Sequence, residues 1–404
     1  MQYDISVYRA ENQGCGTLLL QTGRVSDTYA PYSAADTASA GRRDESGLCR
    51  PALCSNQLAM CHFHNKINKQ KDRRNTIKNG CDYLNNFEKP IIIFDTDMDT
   101  DCDDAGAFAI LLEAHRLAKI ELLGAISDSV SRYAAPCCDM MARFYNVNIP
   151  IGAIYADDYM DTDKNVTRFA PYREHSAYCA EKSMDYNRVF AEKINKTDRD
   201  YKAAAKMYRE LLTAADDRSV TVLCVGMLTA IAEALATAAD EISPLSGVEL
   251  FRKKVNRIIS MGNLDKTNDF NWGMDAYATE QFFSLCPVPI YVSSAGTDVI
   301  TGENLTSALE SDHPLRRAYE IWLRKENCGR SSWDLIATLY AINPDTPYLI
   351  AKDCGCFKYD KDKKLPCKDE SGAECNRIYL NCETDTMVKL LNKLMLGDFG
   401  DVIS

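Results

Sequence analysis

From Lys89 onward, short apolar runs alternate with stretches in which apolar residues recur every three or four positions, a pattern of strands separated by helices. IIIF at residues 91–94 reads as a first strand, Asp104 to Leu117 as a helix, and IELLGAIS as a second strand. A helix near Tyr133 to Tyr145 and the short run PIGAIY follow. A polar insertion of about sixty residues then ends in a helix around Tyr201 to Ala214. SVTVLCV is a further strand, Met227 to Ala238 a helix, and RIISMG and PIYVSSA two more strands. Helices starting at Thr301 and Pro314 lead to the helical WDLIATLY, and the Cys-rich tail at about residues 350–385 reads as a hairpin. Strands and helices in alternation predict an α/β fold, a mainly parallel central sheet with helices on both faces. There is no internal repeat.

Residues 1–88 carry no sustained periodicity and are rich in Ser, Gly, Arg, Asn and Lys, so they read as a loosely ordered N-terminal extension. Residues 89–404 are then one catalytic-size domain, and 404 residues are enough to bury a full core.

Charge narrows the partners. A net charge of −11 argues against a nucleic-acid surface, which needs clustered Lys and Arg, and leaves neutral small molecules or cations. No stretch is apolar enough to span a bilayer, and MQYDISVYRAENQGCG lacks the basic start and apolar core of a signal peptide. A cytoplasmic protein is expected, with no membrane partner and with a homo-oligomer compatible with the composition. The 17 cysteines include two clusters. Cys49, Cys54 and Cys61 precede His62 and His64, and Cys354, Cys356, Cys367, Cys375 and Cys382 crowd the tail. Neither shows the paired CxxC spacing of a strong zinc site, and reduced thiols with no shared task are the simpler expectation.

The chemistry sits in IIIFDTDMDTDCDD, residues 91–104, where a buried strand runs into alternating aspartates. Crowded carboxylates repel and desolvation penalises each charge, so a cation is the expected partner. The positive end of the following helix contributes about 1 kcal/mol or less per carboxylate, too little to offset so many neighbours. A divalent ion taking oxygen ligands suffices. An EF-hand loop is excluded, because counting from Asp95 its obligatory Gly and Glu positions hold Thr100 and Gly106. A haloacid-dehalogenase-like phosphatase, with Asp95 as nucleophile and Asp97 as acid/base, would want Thr or Val where Asp99 stands.

The run FDTDMDTDCDDAGAFAILLEAH resembles the N-terminal motif of the inosine-uridine preferring nucleoside hydrolases in its longer variant form. VLCVGMLTAIAEAL, IISMGN with DFNWGMDAYAT, and GRSSWDLIATLY resemble three further segments of that family in the same order, so the likeness spans roughly Pro90 to Asp345. It implies hydrolysis of the N-glycosidic bond of a nucleoside. It also implies calcium held by Asp97, Asp104, Asp334 and the backbone carbonyl of Val225, with Asp97 taking the proton of the attacking water. Asp103 and Asn271 would bind ribose hydroxyls, Asp269 stands at a ribose-contacting Glu of the family, and Asp128 falls near a family Asn. Asp95 would orient the metal's surroundings. Two departures stand out. Asp99 occupies a position that is commonly Gly in variant members, and Trp333 replaces a His that assists the leaving base, where Trp could stack on a base instead. A homologue that binds metal and ribosyl ligands without hydrolysis is the alternative. His115, His175 and His313 read as surface or structural residues.

Overall fold

A computed structural model describes residues 89–160, 168–400 and 402. The expectations for residues 1–88, including the cluster from Cys49 to His64, lie outside the described residues. β1 (Ile91–Thr96) forms because three consecutive isoleucines and a phenylalanine favour extended backbone buried on both sides. Its alternation decides the layers: Ile92 and Phe94 join one apolar core and Ile93 the other. The sheet is therefore covered on both faces.

β1 is paired in parallel with β2 (Glu121–Ser127) on one side and with β5 (Val220–Cys224) on the other. β3 (Ile151–Ala153) and β4 (Lys202–Ala203) extend the β2 side, and β6 (Val255–Met261) and β7 (Ile290–Ser293) the β5 side, all in parallel. The strand order thus reverses between β1 and β5. In open α/β sheets the carboxyl ends of the strands flanking such a reversal are the place where ligands bind.

On one face lie α1 (Asp103–Arg116), α2 (Ala134–Phe144) and their neighbours, and on the other α6 (Ala204–Ala214), α7 (Thr229–Ala236) and α8 (Gly247–Lys254). Gly106 of α1 lets Leu335 approach so closely that an added Cβ would stand 2.9 Å from its Cδ1, seating α13 (Trp333–Ile342) against α1. That contact brings the two ends of the family-like sequence together.

Three expectations are corrected. The polar insertion holds α3 (Ala156–Met160), α4 (Ala170–Glu181) and α5 (Tyr186–Ala191), whose buried side chains are too sparse for a strong helical period. The helix expected at Thr301 begins at Leu305 (α11, Leu305–Ala308), because Ile300–Thr301 pairs as β8 with β9 (Arg330–Ser331). The tail is more than a hairpin. β10 (Leu349–Asp360) pairs antiparallel with both β11 (Leu365–Lys368) and β12 (Ala373–Leu380), and β12 docks in parallel on β7, making one ten-stranded sheet among the described residues that α14 (Thr384–Met395) follows. The tail cysteines are free thiols. Among the described residues, no helix is long and apolar enough to cross a membrane.

Candidate active site

After Thr96 the chain turns sharply: the Asp97 carbonyl accepts from the backbone N–H of Asp99 and, at 3.1 Å, of Thr100. The Thr100 hydroxyl donates to Asp97 Oδ2 at 2.8 Å. Gly226, one residue past β5, makes room for this turn, since a Cβ there would stand 2.5 Å from the Asp97 nitrogen. The two strand ends are tied directly, Val225 N–H donating to the Asp95 carbonyl at 2.8 Å.

Asp103 and Asp104 open α1, and Asp334 lies in the first turn of α13, whose backbone N–H donates to Asp103 Oδ2 at 3.2 Å. One carboxylate oxygen from each of Asp103, Asp104 and Asp334 lies within 4.8 Å of the others, and all three residues are buried. Thr96 donates its hydroxyl to Asp104. Burial first, and then the charges of neighbouring aspartates, push Asp104 and Asp334 well above the usual carboxylate range, with Asp97 among the neighbours acting on both. Asp97 is raised likewise, by burial and then by Asp99. Asp97 is outside the tight trio because its carboxylate is turned toward Thr100. Asp103, expected at the sugar, stands inside it.

The donor set is hard oxygen throughout, buried and short of positive charge. The guanidinium whose charge acts on Asp103, Arg330, is paired with Asp101, with Nη2 at 2.6 Å from Oδ2. These residues fit a hard, oxygen-preferring metal ion.

Asn271, in the short helix α9 (Phe270–Met274), donates its amide to the Val225 carbonyl at 2.5 Å and faces Met261 Sδ at 3.2 Å. The Val225 carbonyl keeps a second lone pair for another partner. Asp269 caps α9 by accepting from Trp272 N–H at 3.4 Å, and burial raises its carboxyl to about 6. Asp128, at the end of β2, accepts from the Ala230 N–H of α7 at 3.0 Å, while its Oδ1 has no partner among the described residues. Asp128 sits one strand away from the trio and acts on Asp97 through its charge. Asp95 is wholly buried, bonded to the Tyr208 hydroxyl, with its Oδ1 unpartnered among the described residues. Trp333 is half-buried: its Nε1 donates to Thr297 Oγ1 at 3.1 Å and Arg330 lies over one ring face at 5.0 Å.

Asp99 does not have the left-handed backbone that would demand glycine. Its carboxylate turns away from the trio to accept from Ser129 at 2.8 Å and from the hydroxyl of Tyr172, and burial raises it to about 6. Two further insertion residues grip the same turn. His175 Nε2 lies 2.9 Å from the Thr100 carbonyl, and Tyr186 donates to the Asp101 carbonyl at 2.8 Å. His175 is thus part of the site's frame, whereas His115 accepts from Leu122 N–H and His313 packs against Phe144 and Tyr145. The roles of Tyr172, His175 and Tyr186 escaped sequence reasoning, since nothing in a polar insertion marks which loop it covers.

A family model described as inosine-uridine preferring nucleoside hydrolase matches residues 92–389. No curated protein matches the sequence. Among solved structures, the inosine-uridine preferring nucleoside hydrolase from Bacillus anthracis is 14% identical, covering 76% of this chain and 99% of its own, with a TM-score of 0.51. A plant nucleoside hydrolase is 17% identical over 76% of this chain and 99% of that one, at a TM-score of 0.52. The type III effector protein XopQ, complexed with adenosine diphosphate ribose, is 13% identical over 78% of this chain and 95% of that one, at 0.52. At such identities the likeness speaks for the fold alone. The family match spans most of the chain, from β1 into α14. The chain belongs to the inosine-uridine preferring nucleoside hydrolase family and is a hydrolase acting on N-glycosyl compounds.

Proposed function

We propose that the protein hydrolyses ribonucleosides to free base and ribose in a calcium-dependent reaction. The observation that carries this is the convergence of Asp103, Asp104 and Asp334, from two distant parts of the sequence, into one buried oxygen cluster. Asp104 and Asp334 hold the ion with the Val225 carbonyl, and Asp97 and Asp103 border it. Bound calcium supplies a Lewis acid that lowers the pKa of an attacking water.

Asp97 accepts the proton of that water, its carboxylate held in place beside the cluster by the Thr100 hydroxyl. Asp103 and Asn271 orient the ribose hydroxyls, and Asp269 and Asp128 stand at the edge of the sugar site. The surrounding carboxylates favour the positive charge that develops on the sugar as the N-glycosidic bond breaks, so no covalent intermediate is needed.

A second reading, ribosyl-ligand binding without turnover, draws on one observation. Trp333 cannot serve as the acid for a leaving base, because indole N–H does not titrate and this one is bonded to Thr297. Incubating the full chain with a nucleoside panel, with calcium and with chelator, separates the two. Calcium-dependent release of ribose and free base is the expected result, and calorimetric binding of nucleosides without release would support the second reading.

A further inference from the structure

Past Asp99, under the helices of the insertion, lies a cavity of about 420 Å³, within the range of roughly 300–1,000 Å³ that takes small ligands. Asp99 and Ser131 contribute to one side, and Tyr172, His175, Asn187 and Arg188 to the other. It adjoins the sugar site, because the His175 ring packs at 5.2 Å on Phe270, which lies between Asp269 and Asn271.

Asn187 is the unexplained group. It is only 3% exposed, and its Nδ2 donates to Ser131 Oγ at 3.0 Å, but its Oδ1 has no partner among the described residues. The Ser131 hydroxyl oxygen accepts from the Tyr133 N–H at 3.2 Å and from the Asn187 amide, which leaves the amide oxygen as the unused end. Buried acceptors without a partner are rare, and one on a cavity wall is explained by a ligand that donates to it.

The rest of the lining sets the chemistry. Its two guanidinium groups are neutralised, Arg132 by Asp157 at 3.4 Å and Arg188 by Asp185 at 2.9 Å, and Asp99 adds a third carboxyl. Among the described lining residues each guanidinium is already paired with a carboxylate, which disfavours a phosphate, whereas an N–H donor finds acceptors.

We infer that this cavity receives the base of the substrate and that Asn187 is the residue that selects bases bearing an exocyclic amino group, adenine and cytosine. The inference rests on the ribonucleoside reading above and deepens it. Adenosine and purine riboside differ by one amino group and make the test pair. Because that group also alters how readily the base departs, the decisive quantity is the change in their kcat/KM ratio between wild type and variants. With Asn187→Leu the preference for adenosine falls by roughly 5- to 100-fold, the effect of an unmatched buried donor. Asn187→Asp, which keeps an acceptor, retains the preference. An unchanged ratio in a folded Asn187→Leu protein overturns the assignment. If the wild type releases ribose from no nucleoside, the hydrolase reading fails, and the same pair is compared by calorimetry. Adenosine bound more tightly than purine riboside, with the difference lost in Asn187→Leu, upholds the role of Asn187; equal binding, or none, removes it.

Discussion

Asp97 has its carbonyl in a turn, its carboxylate on Thr100 and its backbone against Gly226, so its position is set before any ligand arrives. Asp97→Asn keeps the size and the Thr100 hydrogen bond while removing the basic oxygen. It should lower kcat by about 10²- to 10⁴-fold with little change in melting temperature, measured by ribose release and thermal unfolding. Near-wild-type turnover from this variant would exclude Asp97 as the base. At the residue scale the acidic positions were legible because like charge following an apolar strand has few explanations. The orientation of Asp99 was not. Its charge suggested a place near the ion, but Ser129 and Tyr172, far away in sequence, offer it three-dimensional partners that no local pattern encodes.

The insertion acts as a unit. Tyr172 and His175 from α4 and Tyr186 from α5 grip Asp99, Thr100 and Asp101, three successive residues of the loop that leads into Asp103 and Asp104. These contacts touch no metal ligand, yet they fix the path between Asp97 and the start of α1. Tyr172→Phe combined with Tyr186→Phe should therefore raise the calcium concentration for half-maximal activity by roughly tenfold, as loss of supporting hydrogen bonds around a metal site does. Activity at saturating calcium should be largely recovered, whereas an unrecovered loss would assign these tyrosines to the substrate instead. Strongly periodic elements such as β1, α1 and α13 were read from sequence to within a few residues. The insertion helices and the docking of β12 on β7 were not, since edge pairing and partly buried short helices depend on surfaces supplied by the rest of the chain.

Over the whole molecule, the fold places its least stable charges where the strand order reverses, and nothing among the described residues neutralises the trio there. The consequence is a pH dependence with a defined sign. Burial raises the carboxyls of Asp99 and Asp269 from 3.8 to about 6 in the folded protein, and Asp103, Asp104 and Asp334 are raised as well. A carboxyl with a raised folded pKa binds its proton more tightly in the native state. Its contribution is fully present below the unfolded value near 4 and disappears as pH climbs through the folded value. For Asp99 and Asp269 the loss between pH 5 and 7 is about 1 kcal/mol each. His175 and His313, whose imidazoles burial lowers, oppose this trend as pH rises through their unfolded value near 6.5, but they are fewer than the raised aspartates; Asp240, lowered by its pair with Arg209, also opposes it, with its stabilisation lost only as pH falls below 4. Chelated protein should therefore melt several degrees lower at pH 7 than at pH 5. Added calcium, which favours the ionised carboxylates of the trio, should shrink or reverse that difference, and binding should release protons. Thermal melts at both pH values, with calcium and with chelator, read this directly. Chelated protein that grows more stable from pH 5 to pH 7 would mean that the buried aspartates are already neutralised by the fold itself and need no cation.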